Sequence, residues 1–407
     1  MTLSARNIAS ASIVFTACNA SSHGFSIFLY SALLPRIREA FNLDYSQAAL
    51  IAAMLQVAYM TASLLSGIAA AALGARRLVA LSISACPILL ALAVASEQVW
   101  AFAVCLALVS ACAVTNWNAL TALAAEIIPS THRSRVLGLA SSGAAFAICI
   151  NGALIAALGN IDIQQFWWIC AGITLTVALA TVVVLASLPK PARAQAGIAP
   201  SLQRQAWQWL DLCRSHSVAR HILMLSAFIG AVSGPFLNFL SAFASAHLGA
   251  DAASVGALWL LIGASGAAGG LMLGWLADRW GTLRIMGISM AAFGIALVAM
   301  MWRHDLPTTW LCAGLFALFY FPVWGLMAAY VSQRLDALQS LQVVSLSMVG
   351  YGLGSALANS ACGALLQASD SFTLVHGWIA AWLLASLWLL ARMQHSQRLP
   401  HATVTSG

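Results

Sequence analysis

Apolar runs of about 20 residues recur along the whole chain, parted by short polar breaks. A run of that length crosses the ~30 Å hydrocarbon layer of a bilayer as a helix. The pattern predicts twelve membrane-spanning helices, at roughly 8–34, 46–72, 78–96, 99–126, 134–158, 164–188, 221–246, 253–277, 284–302, 309–332, 340–367 and 373–392. These are called spans 1 to 12. The alternation of apolar and polar residues that marks a transmembrane β-barrel is missing. One long interruption stands between spans 6 and 7, at 189–220. Its first part, PKPARAQAGIAP, reads as a flexible linker. Its second part, SLQRQAWQWLDLCR, puts Leu202, Ala206, Trp209 and Cys213 on one helical face beside Arg204 and Arg214. That predicts a short helix, with Ser201 as its N-cap, lying on the membrane surface.

Composition agrees with a membrane protein. Of the 407 residues 62% are hydrophobic and only 7% charged. A soluble domain carries about 25% charged residues. The first apolar run continues past the length of a signal-peptide core and has no small-residue cleavage site, so it is expected to be retained as span 1. Fifteen of the 18 basic residues fall in loops on the side of both termini; only Arg36, Arg38 and Arg303 fall on the other. Basic loops stay cytoplasmic, so both termini are expected inside a plasma or inner membrane. The formal charge of +7 is thereby a topology signal, and no nucleic-acid partner is needed to explain it. Tryptophans near span ends (Trp100, Trp167, Trp168, Trp302 and Trp310 outside, Trp280 inside) read as an interfacial belt.

The nine cysteines are scattered, with no CxxC pair and no His/Cys cluster at ligand spacing. No metal and no cofactor is expected. Motifs of hydrolases, zinc proteases and phosphate-binding loops are absent, as are clustered carboxylates, which argues against an enzyme or an ATP-driven pump.

The halves of the chain repeat. Gly67 and Gly74 recur as Gly274 and Gly281, an offset of 207 residues. The same offset carries Asp44 to Asp251, Trp117 to Trp324 and Gly143 to Gly350. Fixed-period self-similarity is a fold-level signal. It divides the chain into a six-helix bundle at 1–188, a linker at 189–220, a second bundle at 221–393 and a tail at 394–407.

The second copy of the repeated turn, GWLADRWGTLR at 274–284, resembles the loop motif of the major facilitator superfamily, roughly G-x-L-A-D-R-x-G-x-x-R. The resemblance extends over nearly the full chain: twelve spans, a long central loop and a motif repeated between spans 2 and 3 and between spans 8 and 9. It implies an all-α membrane fold of two pseudo-symmetric six-helix bundles. It also implies a secondary transporter that rocks its halves about a central site. The first copy of the motif, GIAAAALGARR, has Ala71 where the acid is expected and Ala72 where the arginine is, and keeps only Gly67, Gly74 and Arg77.

The resemblance implies a latch on the cytoplasmic side. Asp278 is expected near the N-terminus of span 5, around Thr131 to Arg135, where a helix dipole stabilises a carboxylate. Arg279 and Arg284 would add charge-assisted hydrogen bonds. Glu126, Arg133 and Arg135, in the turn EIIPSTHRSR, are candidates for gating.

The resemblance implies that spans 1, 4, 7 and 10 line the central cavity. Polar residues inside those spans are therefore substrate candidates: Asn19, His23, Tyr30, Asn116, Trp117, Asn118, Asn238, Tyr320 and Trp324, with Tyr351 from span 11. Trp117 and Trp324, equivalent in the two halves, are expected to clamp a solute by stacking or cation–π contact. No Asp, Glu, Lys or Arg lies at mid-membrane depth, so the solute is expected to be neutral, zwitterionic or amphipathic. His23 or Glu126 would carry a coupling proton. Beyond substrate, lipid and protons no partner is expected, and the chain is expected to act as a monomer. Two other readings stand beside this one. The first is a non-transporting sensor on the same scaffold. The second is a drug or metabolite exporter lacking the usual Gly-Pro motif in span 5.

Overall fold

The computed structural model describes residues 5–188, 202–335 and 337–398, and every element among them is helical. Each predicted span meets a helix. Span 1 consists of Ala5–His23, a π-helical turn at Gly24–Phe28 and Leu29–Ala32. Spans 2 to 4 are Tyr45–Leu73, Ala75–Val94 and Val99–Ile127. Span 5 is Ser130–Ser141 continued by Gly143–Leu158, and span 6 is Ile163–Ser187. Span 7, Ser217–Ala242, runs on into a π-helical turn, Phe243–His247. Spans 8 and 9 are Ala252–Trp280 and Thr282–Arg303. Span 10 joins Leu306–Leu315, a third π-helical turn at Phe316–Tyr320, and Val323–Ser332. Spans 11 and 12 are Ala337–Ser369 and Phe372–Arg398. The last helix thus runs five residues beyond position 393, where the tail was expected to begin. The linker at 189–200 and the expected cap Ser201 lie outside the described residues.

Ten of these helices are long and apolar enough to cross a membrane. Spans 1 and 11 fall short of that criterion because serines and asparagines dilute their hydropathy. Those residues face inward: Asn19, Ser22, Ser347, Ser355 and Asn359 are buried. Polar groups in a span are costly against lipid and are kept by packing against protein.

The sequence repeat is a repeat of packing. Asp44 and Asp251 both cap the N-terminus of a second span, accepting from Gln47 N at 2.7 Å and Ser254 N at 2.8 Å. Hydrogen bonds from the Ser254 side chain and backbone hold the exposed Asp251 carboxyl below its ordinary value. Gly74 and Gly281 end those spans with φ of 82° and 88°, in the region where glycine has no steric penalty. A Cβ on Gly143 would lie 2.6 Å from the Thr16 carbonyl oxygen, and one on Gly350 would lie 2.8 Å from that of Leu223. Positions 16 and 223 are themselves 207 apart, so span 5 packs on span 1 as span 11 packs on span 7.

The halves meet on the side away from the termini, here called the far side. There span 5 crosses span 8 at glycine. A Cβ on Gly152 would lie 2.6 Å from the Gly256 carbonyl oxygen, and one on Gly256 would lie 2.7 Å from Ala156 Cα. A Cβ on Gly363 of span 11 would lie 2.9 Å from the Tyr45 carbonyl oxygen of span 2. Small residues allow such close approach in membranes, where packing drives helix association. On the terminal side the spans stand apart. Gly67, Gly138, Gly274 and Gly325, in the terminal-side halves of spans 2, 5, 8 and 10, have no atom of the described residues within 4 Å of where a Cβ would stand. The molecule is sealed at the far side and open toward its termini.

The short helix expected after the linker forms as Leu202–Ser215. Leu212 is buried while Trp207 and Leu210 are exposed. Arg220 closes its C-terminal end, donating to the carbonyls of Cys213 and Arg214 at 3.0 and 3.1 Å.

Candidate solute-binding cavity

Between the halves lies a cavity of about 400 Å³. The π-helical turns of spans 1 and 10 stand beside it and widen the helices where Phe28, Phe316, Tyr320 and Phe321 turn inward. Such turns insert a residue into the helical ladder and often mark functional sites. The lining reaches Ile222, Val331 and Val344 near the terminal-side ends of spans 7, 10 and 11, which agrees with an opening in that direction.

Six of the ten expected substrate residues line this cavity: Asn19, His23, Trp117, Tyr320, Trp324 and Tyr351. His23 Nε2 lies 3.3 Å from the Tyr59 hydroxyl, and the two rings meet edge-on with centroids 5.8 Å apart. Asn19 Nδ2 donates to the Ala140 carbonyl at 2.9 Å, fixing span 1 on span 5. Across the cavity, Trp324 packs on Tyr351 with centroids 5.1 Å apart, and Ser233 Oγ donates to the Tyr351 hydroxyl at 3.3 Å. No Asp, Glu, Lys or Arg is among the lining residues.

The other four are not among the lining residues, and three of them have structural partners elsewhere. Tyr30 is fully buried, and its hydroxyl donates to the Ala48 carbonyl at 2.7 Å, tying span 1 to span 2. Asn116 is fully buried, with no hydrogen-bond partner for its amide among the described residues. Asn118 donates to Ser66 Oγ at 2.7 Å, between spans 4 and 2. Asn238 belongs to the far-side seam: it accepts from Ser31 Oγ and donates to Asn359 Oδ1 at 2.9 Å. The Asn359 amide then reaches Ser355 Oγ at 3.3 Å. This buried clasp joins span 1 of the first half to spans 7 and 11 of the second.

Gln56 and Tyr59 of span 2 line the cavity and were not expected to. They are polar, mid-span and three residues apart, hence on one helical face. That signal was legible, but span 2 stood outside the spans expected to line the cavity.

The sequence signature of the Major Facilitator Superfamily matches residues 16–359. The chain belongs to the Major Facilitator Superfamily. A 178-residue stretch, 43% of the chain, is 28% identical to an uncharacterized MFS-type transporter of Yersinia pestis (strain Pestoides F). That stretch covers 44% of the relative's length, under half of it. Among solved structures, the fold is similar to the D-xylose-proton symporter, with a TM-score of 0.76 at 14% identity over 94% of this chain and 97% of the other. It is also similar to the nucleoside transporter NupG, at 0.73 and 13% over 97% and 99%. A bacterial homolog of the human lysosomal transporter Spinster, in an inward-facing and unoccupied conformation, gives 0.73 and 13% over 98% of each chain. At such identities the likeness speaks for the fold. Membership and the ten long apolar helices make the protein an integral membrane protein.

The superfamily motif sits at the open terminal side. Asp278 is exposed and makes no hydrogen bond or ion pair among the described residues. The side chains of Thr131 and Ser134, two of its expected neighbours, lie outside those residues. Arg279 stacks on Trp275 of its own helix, 3.8 Å above the ring. Arg77, Arg135 and Arg284 are exposed. Arg133 caps span 4, donating to the carbonyls of Ala125 at 2.6 Å and Ile128 at 3.3 Å. Glu126 is exposed and is not part of the cavity lining.

Proposed function

We propose that this protein is a secondary transporter, not an enzyme, and that it carries a small, uncharged, amphipathic organic solute by alternating access. One observation carries the reading. The central cavity is lined by aromatic rings and neutral polar groups, with no formal charge to receive an ionic solute. Pockets of 300–1,000 Å³ with apolar walls and a few placed polar groups suit small organic molecules. A charged solute would lose its hydration there without a counter-charge. Trp117 and Trp324 supply stacking faces from the two halves, and Asn19, Gln56, Tyr59 and Ser347 supply hydrogen bonds. The terminal-side opening is the inward-facing state, given the cytoplasmic termini that the basic loops imply. Closing it brings the motif turns together, where Asp278 and the span 5 N-terminus form the latch. The carrier is organised as the two bundles at 1–188 and 221–393.

His23 is the coupling residue in this reading, since it lines the cavity beside Tyr59 and Glu126 does not. The test is uptake and efflux by the reconstituted protein, with and without a pH gradient, for matched neutral, zwitterionic, cationic and anionic aromatic solutes. Neutral solutes are expected to be carried in preference, and His23→Gln to abolish stimulation by the gradient while sparing exchange down a solute gradient. Equal transport of the charged analogues would refute the reading.

A further inference from the structure

Two carboxamides line the cavity, and only one of them is engaged. Asn19 donates through Nδ2 to the Ala140 carbonyl, and its Oδ1 is sealed from the hollow. Gln56 is 5% exposed, and its amide makes no hydrogen bond among the described residues. Neither amide atom is sealed, so a free NH2 and a free C=O open on the cavity. The hydroxyls of the wall are engaged. Ser233 Oγ donates to the Ile229 carbonyl at 2.8 Å and lies 3.3 Å from the Tyr351 hydroxyl. Ser347 Oγ donates to the Val344 carbonyl at 2.6 Å, and the Tyr320 hydroxyl to that of Ile229 at 3.5 Å. The Tyr59 hydroxyl, one turn along span 2 from Gln56, meets His23.

Packing does not account for the free amide. The repeat offset of 207 carries Gln56 to Gly263 of span 8. A Cβ on Gly263 would lie 2.5 Å from Cys149 N and 2.6 Å from Cys149 Sγ, so at the equivalent place the second half carries no side chain and closes directly on span 5. Span 11 closes on span 2 one turn beyond Gln56: a Cβ on Gly352 would lie 2.9 Å from Met60 Cβ. Neither seam uses a carboxamide at this position. A polar group in mid-span is costly unless something pairs with it, and buried polar groups are as a rule hydrogen-bonded. The partner of Gln56 must come from the cavity itself, as water when it is empty and as solute when it is filled.

We propose that Gln56 reads an unsubstituted amide edge, N–H beside C=O, on a planar neutral solute. A carboxamide offers a donor and an acceptor side by side, and such an edge is its complement: the solute N–H donates to Gln56 Oε1 while Gln56 Nε2 donates to the solute carbonyl. Lactams, cyclic imides and primary amides carry this edge. N-alkylated lactams and lactones do not, because they lack the N–H. The remainder of the solute meets the apolar wall, to which Leu237, Phe321 and Met348 of the second half contribute. Polar reading thus falls to the first half and apolar packing to the second. An analogue without the N–H leaves Gln56 Oε1 unpaired in a site with little water, and a site built on such a hydrogen bond rejects the analogue strongly.

This inference rests on the uncharged-solute reading, and the experiment separates the two. Binding to the full chain in lipid nanodiscs is measured by scintillation proximity, with empty nanodiscs subtracted. The probes are planar bicyclic isosteres: isocarbostyril, which has the N–H beside its C=O; N-methylisocarbostyril and isocoumarin, which lack the N–H; and the permanent cation N-methylisoquinolinium. The chains are the wild type, Gln56→Met, which keeps the length of the side chain without its amide, and Gln56→Asn, which withdraws the amide by one methylene. The wild type is expected to bind isocarbostyril at least about tenfold more tightly than either neutral analogue. Gln56→Met is expected to bind all the neutral probes alike, as weakly as the wild type binds N-methylisocarbostyril, and that residual binding reports a folded cavity. Gln56→Asn is expected to discriminate less than the wild type, and it decides the matter if Gln56→Met does not fold. Equal binding of the neutral probes by the wild type would overturn the proposal and leave the uncharged-solute reading standing, as would a preference for isocarbostyril undiminished in the variants. Binding of the cation as tightly as isocarbostyril, or of no neutral probe at all, would overturn that reading and the proposal with it.

Discussion

Gly256→Ala adds one methyl group at the crossing of spans 5 and 8. The new Cβ would stand 2.7 Å from Ala156 Cα and 2.7 Å from the Gly152 carbonyl oxygen. Relaxed carbon contacts are about 3.5–4.0 Å, and both neighbours are backbone, so no rotamer change relieves the clash. The helices must part by about 1 Å. Overpacking of this kind costs about 1–3 kcal/mol. The cost falls on the far-side-closed state alone, because opening the seam removes the contact. At 1.4 kcal/mol per factor of ten, the closed-to-open ratio should fall about 5- to 150-fold. Gly172→Ala in span 6 is the control, since no atom lies within 4 Å of a Cβ there. The assay is hydrogen exchange of segments 150–160 and 252–263 in nanodiscs, together with the ratio of uptake to efflux. Faster exchange in both segments is expected for Gly256→Ala and none for Gly172→Ala. Unchanged exchange at the far side, or a change confined to the terminal side, would refute the packing argument.

Other substitutions probe the site and the two gates. Trp324→Ala removes the ring that packs on Tyr351 and should raise the KM for solute about tenfold, as the loss of an aromatic contact implies; Trp117→Ala should act in the same sense, and unchanged kinetics in both would dismiss the clamp. Asn238→Leu leaves Ser31 and Asn359 without their shared partner, at about 1–3 kcal/mol, so it should loosen the far-side seam as Gly256→Ala does; a far-side seam unaltered in hydrogen exchange would show the clasp to be idle. Asp278→Ala should lower occupancy of the terminal-side-closed state a few-fold, in line with a carboxylate–dipole contact, and transport with unaltered terminal-side accessibility would remove the latch.

Much of the architecture was legible because few patterns build it. Burial in lipid demands long apolar helices, so ten of the twelve spans show in hydropathy alone. The repeat shows because special backbone positions tolerate few residues: Gly74 and Gly281 share a positive φ, and Asp44 and Asp251 share a capping role. The site was legible in part. Mid-span polarity marks a residue that avoids lipid but not the protein surface it faces. Tyr30 and Asn118 satisfy neighbouring helices, and Asn238 joins the halves, whereas His23 and Trp117 face the hollow.

The two gates yield to one measurement. Spin labels can be carried by non-native amino acids, which spares the nine native cysteines. One pair, at Glu39 and Ala246, spans the far side; another, at Arg77 and Arg284, spans the terminal side. Pulsed EPR distances are then recorded with and without a transported solute. The account predicts opposed shifts, with one distance lengthening in the population in which the other shortens. Two distances that stay fixed, or that lengthen together, would contradict it.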